Sequence, residues 1–414
     1  MKKLLLLLTL SFFSAQSFAG SCPDGSDPVK SLSADGTYFV YNCGNNNNSL
    51  HIEKEIPVEG LKGVGVNSMA LWGGGSRADP YYGSEMYGSF IDHFKPLSDH
   101  GFSHVVLISC VDYLIDMPCK KNFQDKSGLL KAIDLLINNT DLHIVVQPKA
   151  YKQKKVQGKH ISTFQTVLEN DKKVEESFIK FWTEIAEKTK HIPSDRLSFN
   201  LLNEPEFQIP SISVYMRDKW LSIASELIES IRSISSDRVV IVEGIAKSLF
   251  NDRNKNGFYR YSFDSIIKPL EFDNLIYAFH SYEPEEFLQQ SRKRYGSFGR
   301  PYKSSYSAIV ASDATRLVKW ANRHQVPVMI TETGCIGYVD GKEGPSTNDE
   351  CGKYAKDVYD NYVSKGVGVT WWALEKEKTI YNRKCLGDKG CDSWMPINRE
   401  PNQSIFSGFR LNYK

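Results

Sequence analysis

From about residue 62 the chain alternates short apolar runs with longer stretches of helical period, and it does so eight times. Such alternation dictates βα units around a parallel sheet, because a crossover helix is what carries the chain back to start a parallel neighbour. The runs are Gly63 to Asn67, His104 to Ser109, Leu142 to Gln147, Leu197 to Leu202, Val239 to Glu243, Leu275 to His280, Val326 to Thr331 and Gly366 to Trp372. Helical patterns fill Ser84 to Asp99, Gly128 to Ile137, Lys172 to Lys190, Ser213 to Ser233, Ser304 to Arg323 and Asn348 to Ser364. The fifth crossover, about 247 to 272, reads mostly as loop, and after the eighth run there is a cysteine-bearing polar tail with a weak helix. Eight strands close a (β/α)8 TIM barrel. An open doubly wound sheet is the alternative, but it calls for a glycine-rich phosphate turn that opens a helix, and Gly73-Gly74-Gly75 lacks that spacing.

The residues before the barrel speak of compartment. Lys2 and Lys3 precede an apolar stretch from Leu4 to Leu10, and Ser17-Phe18-Ala19 supplies small residues for cleavage after Ala19. A membrane anchor competes with a cleaved signal, yet Ser11, Ser14, Gln16 and Ser17 interrupt the stretch short of the ~20 apolar residues a bilayer needs. A lipid anchor at Cys22 would want a large aliphatic residue three positions earlier, where Ala19 stands. All but the membrane-anchor reading send the chain to the periplasm or the exterior. Residues 20–61 are rich in Gly, Asn and Asp, with β-prone stretches at Thr37 to Tyr41 and Leu50 to Ile56. The expected organisation is a signal peptide over 1–19, a small N-terminal β extension over 20–61 and the barrel over 62–414.

Export also decides how to read the eight cysteines, which fall in local couples: Cys22 with Cys43, Cys110 with Cys119, Cys335 with Cys351, and Cys385 with Cys391. Proximity suggests four disulfides in an oxidising compartment. Zinc would want CxxC or HExxH spacing, which the chain lacks. The formal charge is +2, and removal of Lys2 and Lys3 brings it to zero, so nothing steers the protein toward nucleic acid or an anionic membrane. The loop Asp252 to Gly257 hints at calcium but lacks the downstream bidentate glutamate, which favours a surface turn.

Chemistry enters at two strand ends. Active sites of such barrels lie at the C-terminal ends of the strands. Glu204 follows the run Leu197 to Asn203, and Glu332 follows Val328-Met329-Ile330-Thr331, so the two close the fourth and seventh strands. Singly, each reads as a solvated loop carboxylate or a helix N-terminal charge. As a pair on these strands they are what retaining cleavage of a glycosidic bond requires: one group attacks the anomeric carbon and the other protonates the leaving oxygen.

The ordered set Gly65-Val66-Asn67, Asn203-Glu204-Pro205, His280-Ser281-Tyr282, Glu332-Thr333-Gly334 and Trp371-Trp372-Ala373-Leu374 resembles glycoside hydrolase family 5 or a close clan A relative, over about residues 62–376. The resemblance implies Glu204 as acid/base, Glu332 as nucleophile, Asn203 on the sugar 2-OH, His280 near the acid/base and Tyr282 against the nucleophile. It implies Trp372 as a stacking surface for a pyranose, with Trp371 in the core, and the roles swap if the register slips by one. Trp72 and Trp394 are candidates for further subsites. Two strand ends depart from the family pattern. Val106 to Cys110 offers no arginine on strand two, and Val146-Gln147-Pro148-Lys149 puts Lys149 where the family has a histidine. The expected protein is a monomeric, cofactor- and metal-free, secreted endo-hydrolase of β-linked polysaccharide, glucan before mannan. A transglycosylase and a non-catalytic carbohydrate-binding barrel are the rival readings.

Overall fold

The computed structural model describes residues 29–32, 39–42, 50–68, 86–117, 126–150, 153–156, 159–205, 214–245, 263–288, 301–335, 338–339, 342–343, 348–372 and 402–412. The chain divides into two compact units, Met1–Ser49 and Leu50–Lys414. In the first, Val29–Leu32 pairs antiparallel with Phe39–Asn42.

The second unit is the expected (β/α)8 barrel. Its strands are β1 (Val64–Ser68), β2 (His104–Cys110), β3 (His143–Lys149), β4 (Leu197–Asn200), β5 (Val239–Glu243), β6 (Leu275–His280), β7 (Val328–Thr333) and β8 (Gly368–Trp371). They pair in sequence order, and β8 closes on β1 in parallel through Val369–Val64 and Trp371–Val66. Every β1, β2, β4, β5, β6, β7 and β8 residue is buried, as a sheet covered by helices outside and filled with side chains inside demands. The helices Met86–Asp99, Lys126–Asn139, Lys172–Thr189, Val214–Arg232, Ser304–His324 and Asn348–Asn361 lie where the 3.6-residue period predicts them. Among the described residues no helix is long and apolar enough to cross a membrane.

One expectation needs correction. Leu50 to Ile56 is no strand of a β extension; it is irregular backbone leading to a 3-10 turn, Glu59–Leu61, within the barrel unit. Ile56, Val58 and Leu61 join the interior cluster of Val106, Ile108, Val145, Val239, Ile241, Ile276, Ala278 and Met329. The physical reason is burial. A two-stranded ribbon could bury these side chains only on one face, whereas the barrel's interior removes them from water on all sides. Of the cysteine couples, Cys335–Cys351 is a disulfide with Cα atoms 5.8 Å apart, and Cys110 is disulfide-bonded as well. Cys22, Cys43, Cys119, Cys385 and Cys391 lie outside the described residues, as does the Asp252 to Gly257 loop.

The glycine of the first motif has a steric cause. A Cβ on Gly65 would stand 2.1 Å from Cδ2 of His104, whose ring is locked by Ser103 Oγ at 2.9 Å and Thr370 Oγ1 at 2.8 Å. Burial pushes the His104 imidazole down to about 3, so the ring packs as a neutral wedge between β1 and β8. Gly65→Ala is therefore expected to cost about 1–3 kcal/mol through overpacking. The measurement is the urea midpoint, and an unchanged midpoint would show that His104 yields freely.

Candidate active site

The turn that presents Glu204 is strained and held. β4 ends at Asn200, the Leu201 amide still donates to Ile241 O of β5 at 3.0 Å, and beyond Leu202 the Asn203 amide donates to Pro148 O at 2.9 Å. Glu204 then adopts a left-handed φ of 48°, a conformation that costs a non-glycine residue on the order of 1–3 kcal/mol. Two side chains fix it: the Glu204 amide donates to Glu243 Oε2 at 2.7 Å, and Gln165 Nε2 donates to the Glu204 carbonyl at 2.9 Å. Gln165 is itself anchored in the first turn of the helix Thr163–Asn170, its amide donating to the N-cap Ser162 Oγ at 3.2 Å.

Glu332, near the end of β7, faces Glu204 across the barrel mouth. An oxygen of each glutamate and a ring nitrogen of His280 all lie within 4.8 Å of one another. His280 Nδ1 stands 3.2 Å from Glu204 Oε1 and 3.4 Å from Glu332 Oε2. Tyr282, two residues on and already past the strand, donates its hydroxyl to Glu332 Oε2 at 3.0 Å. The Glu332 side chain is only 5 % exposed and that of Glu204 37 %, so one carboxylate is enclosed and the other reaches toward the cleft. Asn203 Nδ2 donates to Glu204 Oε2 at 3.3 Å.

Lys149, the last residue of β3, places its ammonium between the two glutamates, 3.5 Å from Glu332 Oε1 and 4.0 Å from Glu204 Oε2. The same ammonium sits 4.7 Å over the Trp372 ring. Trp371 is fully buried, edge-on to Phe409, and Trp372, the next residue, packs partly buried against the barrel-interior cluster. Trp72 and Trp394 lie outside the described residues.

The charges organise themselves around this cluster. Burial alone would raise the Glu204 carboxyl, but Lys149 and the His280 hydrogen bond outweigh it and pull it down to about 2. Burial likewise opposes charge on His280, yet Glu332 and Glu243 raise it well above the usual imidazole range. Lys149 is pushed up by Glu332 and Glu204 against its own desolvation. Burial and then Glu332 hold the Tyr282 phenol well above its ordinary value, so it stays a donor. Glu204, His280 and Glu332 are grouped closely enough to ligate a cation, but the Lys149 ammonium already supplies positive charge at that spot.

Sequence reasoning missed Glu243, the last residue of β5. It is buried and accepts from Gln147 Nε2 at 2.6 Å, Asn200 Nδ2 at 2.7 Å, Thr331 Oγ1 at 3.0 Å and His280 Nε2 at 3.3 Å, besides the Glu204 amide. The signal was present: a glutamate ending the apolar run Val239 to Val242 is the same pattern that singles out Glu332. Gln165 had no comparable signal, because nothing in an amphipathic helix marks a glutamine that will turn inward.

A closed parallel barrel with two glutamates facing each other across its C-terminal mouth defines the glycoside hydrolase class. The family profile Cellulase (glycosyl hydrolase family 5) matches residues 68–378, and the chain belongs to that family. Endoglucanase H of Acetivibrio thermocellus is 24% identical over 216 residues, covering 50% of this chain and 20% of the relative. Endoglucanase 3 of Fibrobacter succinogenes is 23% identical over 210 residues, covering 42% and 30%. The chain thus spans less than a third of the length of these relatives. Among solved structures, endoglucanase Cel5A from Thermotoga maritima superposes with TM-score 0.60 at 17% identity over 84% of this chain and 97% of that one. The cellulose synthase subunit Z from Clostridioides difficile does so with TM-score 0.59 at 18% identity over 84% and 99%. At such identities the likeness is one of fold.

Proposed function

We propose that the protein is an exported, retaining hydrolase of β-1,4-linked glucan, with Glu332 as nucleophile and Glu204 as acid/base. The observation that carries this reading is the pair of glutamate oxygens within 4.8 Å. Retaining enzymes hold their carboxyl groups roughly 5–5.5 Å apart, whereas inverting ones need roughly 6.5–9.5 Å to admit a water. Glu332 attacks the anomeric carbon from an enclosed position, where Tyr282 and Lys149 hold its charge in place. Glu204, the more exposed of the two, gives its proton to the departing oxygen and then takes one from the water that releases the sugar. Asn203 beside Glu204 is placed to bind the sugar 2-OH, and Trp372 offers a face to the pyranose ring.

Glucan is favoured by the two endoglucanase relatives, and export by the residues Lys2 to Ala19 together with the Cys335–Cys351 disulfide. The Lys149 ammonium supports catalysis over a binding-only barrel, because a cation stands against Glu332 even though β2 brings no arginine. An activated 2-deoxy-2-fluoro-β-cellobioside is expected to add one glycosyl mass to the peptide carrying Glu332, and β-glucan to release the β-anomer first. First release of the α-anomer, or no adduct and no reducing ends from β-glucan or β-mannan, would sink the proposal.

A further inference from the structure

Among the described residues a third carboxylate, Glu243, joins Glu204 and Glu332 at the barrel mouth, and it is shut away from solvent. Glu243 is 1% exposed, and among the described residues its carboxylate is met by donors: two side-chain amides, a hydroxyl, an imidazole N–H and a backbone N–H. A carboxylate ringed by donors is acceptor-only and stays ionised. Its oxygens divide the work. Oε2 takes the amide of the strained Glu204 at 2.7 Å, while the carboxylate as a whole takes His280 Nε2 at 3.3 Å.

We propose that Glu243 is a positioning residue for the paired carboxylates: it pins the Glu204 turn and fixes the proton of His280 on Nε2. This deepens the hydrolase reading and rests on it for its catalytic consequence. Because an acceptor-only group faces Nε2, that nitrogen keeps its hydrogen, and Nδ1 is the one ring nitrogen left to exchange a proton. Nδ1 is the end that faces Glu204 Oε1 and Glu332 Oε2. When Glu204 is ionised, Nδ1–H donates to it; when Glu204 carries the proton, Nδ1 either accepts it or keeps its hydrogen between Glu204 Oε1 at 3.2 Å and Glu332 Oε2 at 3.4 Å. Both states of the acid/base therefore meet a complementary partner without any ring rotation. The groups facing His280 are Glu204, Glu243 and Glu332, with Lys149 behind the two rim carboxylates and Tyr282 on Glu332.

Glu243→Gln keeps the shape and one acceptor oxygen for the Glu204 amide, since Gln147 and Asn200 can each turn an amide oxygen toward the new NH2. It removes the charge that His280 reads. The expected result is a fall in kcat on soluble β-glucan on the order of 10^2-fold with KM within about threefold, as orienting a base's tautomer commands effects of this size or larger. Histidine 15N NMR is expected to show the His280 titration displaced toward lower pH by more than one unit in the variant. In the unaltered protein, the same spectra should show Nε2 protonated across the titration. A neutral His280 carrying its proton on Nδ1 would overturn the proposal with no variant needed. So would a Glu243→Gln protein whose kcat and His280 titration match those of the parent. If the parent hydrolyses no glycan at all, the hydrolase reading fails while the NMR comparison still decides the role of Glu243.

Discussion

Glu332→Gln is expected to lower kcat on β-glucan by about 10^4-fold or more, with KM changed only a few-fold. The amide is isosteric and can still accept the Tyr282 hydroxyl, which lies 3.0 Å from Glu332 Oε2, so the mouth keeps its shape. What it loses is the ability to form the glycosyl ester, and that step has no substitute, because Glu204 approaches from the leaving-group side. Glu204→Gln should behave differently in a way that separates the two roles. On polysaccharide, whose leaving oxygen needs a proton, the loss should be about 10^2- to 10^4-fold. On an aryl β-cellobioside with a good leaving group, formation of the intermediate should survive and its hydrolysis become limiting, giving a burst of phenol. Equal residual rates for both variants on both substrates would contradict the assignment of distinct roles, and full activity in both would remove the glutamates from the chemistry.

Much of this was legible because periodicity and strand ends are local signals. The eight apolar runs coincide with β1 to β8 to within about two residues at most ends, since a strand buried on both faces must be apolar throughout. Glu204 and Glu332 stood out as a pair, because two carboxylates closing the fourth and seventh strands of one barrel fit a chemistry that neither suggests alone. The discrepancy with a consequence for the site is at β4, where Leu201 and Leu202 look like strand yet lie beyond it. The chain abandons the ladder there so that Glu204 can turn at a φ of 48°, and no composition rule anticipates a left-handed glutamate. Residues 50–61 were misplaced for a related reason: apolar residues announce burial but not which partner buries them, and Ile56, Val58 and Leu61 found the barrel interior. Glu243 and Lys149 have meaning only through contacts made across the barrel, from β5 and β3 to β4, β6 and β7, over sequence separations that a linear reading does not connect.

Lys149→Met is expected to move the pH profile of kcat/KM to higher pH by about one to two units and to cost about 10^2-fold at the optimum. The direction follows from the charges. Lys149 is the leading cause that overrides desolvation and pulls the Glu204 carboxyl down to about 2, so neutral conditions leave little of its acid form. Removing a cation 4.0 Å away raises that carboxyl, by roughly 1–3 units for a charge so close. The limb on which the acid loses its proton therefore shifts upward. His280 still holds Glu204 from 3.2 Å and limits the shift. The cost at the optimum comes from the other side of the ammonium, where Glu332 loses the cation 3.5 Å from Oε1 that stabilises its charge within the enclosed mouth. Methionine removes only the ammonium that sits 4.7 Å over the Trp372 ring and leaves an apolar side chain beside it, so KM should change less than about threefold. Lys149→Arg should not restore the parent profile. A planar guanidinium is wider than an ammonium and cannot occupy the same gap between two carboxylates while lying over the indole. Kinetics from about pH 3 to pH 9 on soluble β-glucan check all of this, and a Lys149→Met profile that superposes on the parent's would show that the ammonium sets neither the proton on Glu204 nor the charge on Glu332.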